Sequence, residues 1–180
     1  MDKLDVVSVT SGSSFVEYTT SGSAYGRLFE GGDGGIYIYA LAGRLVKTMD
    51  AWATTEEIFP TGAVTIVAIA QCGISPYKTL AFSMPATVLQ TAKVRTQDSP
   101  ETSGGWSSAT NLVSNFRPVD AVGDDTLGRG SALVGNQHVG TEARVLRSTS
   151  PFTSWATSQS GLPTGATNQS SKITDMERPD

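Results

Sequence analysis

The chain has 180 residues, 38% hydrophobic and only 17% charged, with a formal net charge of −4 and a pI near 4.9. That length supports one hydrophobic core with or without tails. Its 13 basic residues form no run or stripe, which argues against nucleic-acid binding, where neutralised phosphates dominate affinity. One cysteine and one histidine exclude an intrachain disulfide and a conventional structural zinc site.

Ser and Thr fill 43 positions and Gly 19, and the periodic segments are rich in β-branched and aromatic residues, so the expected class is all-β. The opening Met1-Asp2-Lys3-Leu4-Asp5 has no apolar signal-peptide core, and no segment approaches 18 apolar residues. The expectation is a chain without signal peptide or membrane span, made in a cytoplasm. Within residues 1–24, Val6-Val7-Ser8-Val9-Thr10 and Phe15-Val16-Glu17-Tyr18 predict a strand pair or an arm that closes a sheet edge.

Strands are predicted over 25–31 and 35–41, joined by Glu30-Gly31-Gly32-Asp33-Gly34-Gly35. That run looks like a phosphate loop but lacks the Lys-Ser/Thr ending and lies between two strands, so it reads as a flexible hairpin. In Ile36-Tyr37-Ile38-Tyr39, alternation places both tyrosines on one face of a strand. They suit an interface between sheets; exposed, they would stack on a sugar, which makes Tyr37 and Tyr39 the candidate ligand-binding residues.

Further strands are predicted over 64–71, 78–84, 118–123 and 131–136. Cys72, closing the apolar run from Val64, reads as a small buried hydrophobe. Asp120, Asp124 and Asp125 read as turn residues rather than calcium ligands, and His138 as a surface turn residue with no Gly-x-Ser-x-Gly elbow to partner it. Residues 167–180 are polar and turn-rich, a C-terminal arm or linker.

An internal repeat organises the middle of the chain. Trp52-Ala53-Thr54 leads to Pro60-Thr61-Gly62-Ala63, and Trp155-Ala156-Thr157 leads to Pro163-Thr164-Gly165-Ala166 at the same spacing, 103 residues later. Strand-like pieces with a basic residue then Ser or Thr precede a turn three times: Val46-Lys47-Thr48-Met49-Asp50, Val94-Arg95-Thr96-Gln97-Asp98 and Leu146-Arg147-Ser148-Thr149-Ser150. Tryptophans follow at Trp52, Trp106 and Trp155. Each unit, over about 25–62, 63–117 and 118–166, predicts a four-stranded antiparallel meander. One such meander cannot bury its apolar faces alone, so units must stack.

These residues resemble the Asp-box of sialidase-like (BNR) β-propellers, Ser/Thr-x-Asp-x-Gly with a Trp seven residues after the first position. Ser148 to Trp155 has the spacing, with Ser150 in place of Asp; Thr96-Gln97-Asp98 and Thr48-Met49-Asp50 keep the Asp, with Trp106 three residues late and Trp52 three early. Trp52, Pro100 and Phe152 stand where the glycine belongs. The resemblance implies propeller blades and makes the box a fold element away from any active site. Thr48, Asp50, Trp52, Thr96, Asp98, Trp106, Ser148, Ser150 and Trp155 are accordingly structural repeat residues.

Closed propellers generally use about four to eight blades, so three units imply completion by another copy or by partner chains. The functional expectation is a non-catalytic structural or binding component of a larger assembly: a bacteriophage virion protein, tail or capsid-associated, partnered by itself or other virion proteins. The alternatives are a glycan-binding propeller lectin, a sialidase-like glycosidase fragment needing an arginine cluster, a Tyr–Glu pair and an Asp, and a cytoplasmic protein. No catalytic residue, metal or cofactor is assigned.

Overall fold

A computed structural model describes residues 27–39, 45–50, 53–59, 64–85, 91–114, 116–124, 131–136 and 144–158. The expected N-terminal strand pair, the C-terminal tail, Trp52, Asp125 and His138 lie outside the described residues. Among the described residues all regular structure is β, and no helix is long and apolar enough to cross a membrane.

The described residues form three four-stranded antiparallel sheets that follow one another along the chain. The first holds β1 (Arg27–Glu30), β2 (Ile36–Tyr39), β3 (Leu45–Thr48) and β4 (Glu56–Glu57). The second holds β5 (Val64–Cys72), β6 (Lys78–Pro85), β7 (Lys93–Asp98) and β8 (Thr110–Asn111). The third holds β9 (Pro118–Asp124), β10 (Ser131–Asn136), β11 (Val145–Thr149) and β12 (Ala156–Ser158). In each, strands pair in chain order, the meander expected from closely spaced strands and turns.

The second sheet lies between the other two and is apolar on both faces. On one side Ile66, Ile69 and Ala81 pack with Tyr37, Tyr39, Leu45, Ile58 and Phe59 of the first unit. On the other, Ala68, Ala70, Cys72, Leu80, Phe82 and Val94 pack with Ala121, Ala132, Leu146 and Phe152 of the third. A bulge in β5 makes this possible: its register with β6 shifts between Ile66 and Ala68. The extra residue, Val67, joins Ala68 on the third-sheet side, and alternation then resumes in the opposite phase. The small residues on that side let β5 and β9 approach closely. A Cβ on Gly123 would stand 1.7 Å from the Gln71 carbonyl oxygen.

Side-chain alternation also sets how the three units correspond. Val94 faces the third sheet, so Thr96 shares that face, whereas Arg95 and Gln97 face the first with Ala81, the register partner of Arg95. Ser148 shares the face of Leu146, turned back toward the second sheet, and Thr48 is likewise turned away from the sheet that follows it. The residue of the second unit in the position of Thr48 and Ser148 is therefore Gln97, one place beyond Thr96. A slip of one residue in a strand reverses every face.

The pairing of β3 with β4 and of β11 with β12 matches Val46 with Glu57 and Leu146 with Thr157. Strand register thus relates the outer units by 100 residues, and the position matching Trp155 is Thr55. Ala53 and Thr54, which match Ala156 and Thr157 in the repeat at 103, therefore do not share their strand positions.

Candidate functional site: a buried polar cluster between two sheets

The densest polar chemistry among the described residues lies where the first sheet meets the second. Asp33 comes from the β1–β2 turn, Tyr37 from β2 and Lys47 from β3, where Tyr37 and Lys47 are register partners. Gln71 of β5 and Thr79 of β6, also register partners, face them from the second sheet, and Glu101 enters from the β7–β8 connection. Tyr37 is 0% exposed and Glu101 3%.

Lys47 Nζ donates to Asp33 Oδ2 at 2.5 Å and to Glu101 Oε2 at 2.7 Å, and lies 4.9 Å from the centre of the Tyr37 ring. The Tyr37 hydroxyl lies 2.9 Å from Asp33 Oδ2 and 3.1 Å from Glu101 Oε1. Gln71 Nε2 donates to the Tyr37 oxygen at 2.7 Å and to Thr79 Oγ1 at 3.0 Å. Thr79 donates to Glu101 Oε1. With Asp33 and Glu101 ionised and Lys47 protonated, two negative charges against one positive leave the cluster one net negative charge. Gln71 Oε1 is buried without a hydrogen-bond partner.

Burial pushes the Asp33 carboxyl up, but hydrogen bonds from Lys47, the Gly35 amide and Tyr37 outweigh it and hold Asp33 below the usual aspartate value. Burial pulls Lys47 down, and its bonds to Asp33 and Glu101 outweigh that, so the ammonium is retained above its ordinary range. Burial, then the charges of Glu101 and Asp33, drive the Tyr37 phenol far above its usual value, which keeps it protonated.

The expected flexible hairpin at 30–35 is a tight turn that presents Asp33. Gly31 N–H donates to the Gly35 carbonyl at 2.8 Å, and Gly35 N–H to Asp33 Oδ1 at 3.0 Å. Gly34 has φ 78°, a conformation that favours glycine. A Cβ on Gly31 would lie 2.5 Å from Gln71 Oε1, so a side chain there would displace Gln71, Asp33 or Tyr37.

Tyr37 and Tyr39 do share one face, but neither ring is open to a sugar, at 0% and 6% exposure; both pack between the sheets. Tyr37, Glu101 and Asp33 have the residue types of the Tyr–Glu–Asp set that the resemblance implies for a glycosidase. Their surroundings differ: the phenol is covered and held protonated, and the cation beside it is Lys47 rather than an arginine cluster.

The repeat residues fall into two groups. At the turns, Thr48 Oγ1 donates to Asp50 Oδ1 at 2.9 Å, and Asp50 accepts from Thr54 N–H at 2.8 Å and from its hydroxyl at 2.6 Å. Asp98 takes no such place: it is exposed and pairs with Lys78. Gln97 closes that turn instead, accepting from Thr102 N–H at 3.0 Å and donating to its carbonyl at 3.1 Å. Thr96 N–H donates to Ser107 Oγ at 3.0 Å. Ser148 donates to the Ser154 carbonyl at 2.6 Å, and Ser150 is exposed.

Trp106 and Trp155 form the second group, and each reaches back to the preceding sheet's unit. Trp106 Nε1 donates to the Ile58 carbonyl at 2.5 Å, and its ring meets Phe59 edge-on at 5.2 Å. Trp155 meets Phe82 edge-on at 5.4 Å and stacks near Phe152.

Among the described residues no group of three or more His, Cys, Asp or Glu side chains is placed to hold a metal ion. Asp120 Oδ1 instead accepts from the Ala121 amide at 2.9 Å. Cys72 is buried.

Glu101 and Lys47 were not among the expected site residues. Glu101 stands in the polar run Ser99-Pro100-Glu101-Thr102-Ser103, which resembles any solvated turn. Lys47 carried a usable signal: it shares a strand face with Leu45, and an ionisable group in an apolar row needs a counter-charge.

Protein-family models, curated proteins and solved structures yield no match to the chain.

Proposed function

We propose that the chain is a non-catalytic structural or binding component of a larger assembly, its three sheets acting as propeller-like blades that other copies or partner chains complete. The observation that carries this reading is the use of its distinctive side chains. Trp106, Trp155 and the Asp33–Lys47–Glu101 cluster all join one sheet to the next. Stacked sheets of this kind end in faces and strand edges that further units cover.

Low charge and abundant Ser, Thr and Gly support placing the assembly in a virion, as a bacteriophage tail or capsid-associated protein. Tyr37 and Tyr39, being buried, lend no support to the lectin alternative. Native mass by light scattering tests the proposal against the 18.9 kDa chain. Discrete multiples or long polymers are expected; a stable, folded monomer at all concentrations overturns it.

A further inference from the structure

The two junctions between sheets differ in chemistry. The second and third sheets meet through an apolar cluster of Leu80, Phe82, Phe116, Leu146 and Phe152, which acid leaves unchanged. The first and second share an apolar cluster too, but one end of it is the ionic group in which Lys47 is only 8% exposed and Glu101 0% at the side chain. We propose that this junction is an acid-labile joint: protonation of Asp33 and Glu101 releases the first sheet from the second while the second and third stay packed.

The reasoning is electrostatic. Lys47 is tolerated in the interior because Asp33 and Glu101 both accept from it; once acid neutralises them, a buried ammonium has no counter-charge, which strongly destabilises the junction. Asp33, Tyr37 and Lys47 come from the first sheet and Glu101 from the second, with Gln71 and Thr79 as uncharged partners. Tyr39 packs in the same apolar cluster as Tyr37, and Tyr77 of the second unit lies against Gly32 in the turn that carries Asp33. Farther along, Arg95 donates to the Ser107 carbonyl at 2.9 Å, and Glu56 is exposed at the β4 edge. Among the described residues, the cation bonded to these two carboxylates is Lys47. Release would uncover Tyr37, Tyr39 and Leu45 on one side and Ile66, Ile69 and Ala81 on the other.

The protein carries a reporter at each junction: Trp106 against Ile58 and Phe59, and Trp155 against Phe82. Variants that keep one of them (Trp52→Phe with Trp155→Phe, or Trp52→Phe with Trp106→Phe) are titrated with acid, reading emission wavelength and iodide quenching. Trp106 is expected to become exposed at least about one pH unit above Trp155. Coincident or reversed transitions overturn the proposal.

In the neutralised variant Asp33→Asn/Lys47→Met/Glu101→Gln the separation is expected to vanish; its persistence also overturns the proposal. Should a variant not fold, the unmodified protein is incubated at each pH and pulse-labelled with deuterium at one fixed pH. Amides of β2 and β3 are expected to lose protection before those of β10 and β11, and simultaneous loss refutes the joint.

Discussion

Replacing Lys47 with Met tests the buried cluster most directly. Methionine keeps the unbranched stem that packs beside Tyr37 but removes the charge that Asp33 and Glu101 share. The two carboxylates, 13% and 0% exposed, then face one another's charge with Tyr37, Gln71 and Thr79 as neutral partners. Removing one member of a buried ion pair typically costs about 3–5 kcal/mol, because the remaining charge stays desolvated and unpaired. At a urea dependence of about 2 kcal/mol per M, that loss lowers the unfolding midpoint by roughly 2 M.

The assay is urea unfolding at neutral pH followed by Trp106 fluorescence. Its pH dependence has a fixed sign. Asp33, held below the usual aspartate value, contributes stability that is full above its unfolded value and fades as pH falls through the folded one. Lys47, held above its ordinary range, contributes stability that fades only as pH rises through its folded value. The gap between the parent and Lys47→Met is therefore greatest at neutral pH and narrows in acid. A second change, Lys47→Met/Glu101→Gln, relieves one stranded charge and is expected to recover part of the loss. A midpoint shift under about 0.5 M at neutral pH would refute the reasoning, since the carboxylates would then be solvated rather than confined.

Trp106→Phe and Trp155→Phe are expected to differ. The first strands the Ile58 carbonyl that Trp106 Nε1 now satisfies, while Trp155 Nε1 has no hydrogen-bond partner to lose. Trp106→Phe should cost about 1–3 kcal/mol more in denaturant unfolding, and equal losses would contradict the hydrogen bond's role. Gly123→Ala places a Cβ 1.7 Å from the Gln71 carbonyl oxygen, whereas the same change at Gly104 meets nothing within 4 Å. Thermal melts should show Gly123→Ala strongly destabilised, by about 3 kcal/mol or more, and Gly104→Ala near neutral; a tolerated Gly123→Ala would mean that β5 and β9 are not so close. Bonds from the Thr54 hydroxyl and amide, then from Thr48, hold the Asp50 carboxyl below the usual value. Its carboxyl NMR signal should therefore titrate at lower pH than that of a Thr48→Ala/Thr54→Ala variant, and superimposable curves would show that the turn does not engage it.

Local signals in the chain sufficed for the elements. Strands predicted over 64–71 and 78–84 are observed as Val64–Cys72 and Lys78–Pro85, because β-branched runs bounded by Gly, Ser and Pro have few other ways to satisfy their backbones. The alternation of Ile36, Tyr37, Ile38 and Tyr39 likewise placed both tyrosines on one face, since strand periodicity is a property of neighbouring residues.

Which face would be covered was not local. Tyr37 becomes a buried hydrogen-bonding group only because Gln71 and Glu101, 34 and 64 residues away, close over it. The correspondence of Gln97 with Thr48 and Ser148 was invisible for a related reason. Thr96 matches the motif by residue type, yet the packing of Val94 against the third sheet turns Thr96 away from the first. The 103-residue repeat of Trp52 and Trp155 is real as letters, but hydrogen-bond register relates Glu57 to Thr157. Where the chain extends and where it turns depend on neighbours along the chain, so residue order alone settles them. Which sheet covers which, and which charges are shut in together, follow only from the packed fold, because burial and ion pairing join residues whose separation in sequence carries no local mark.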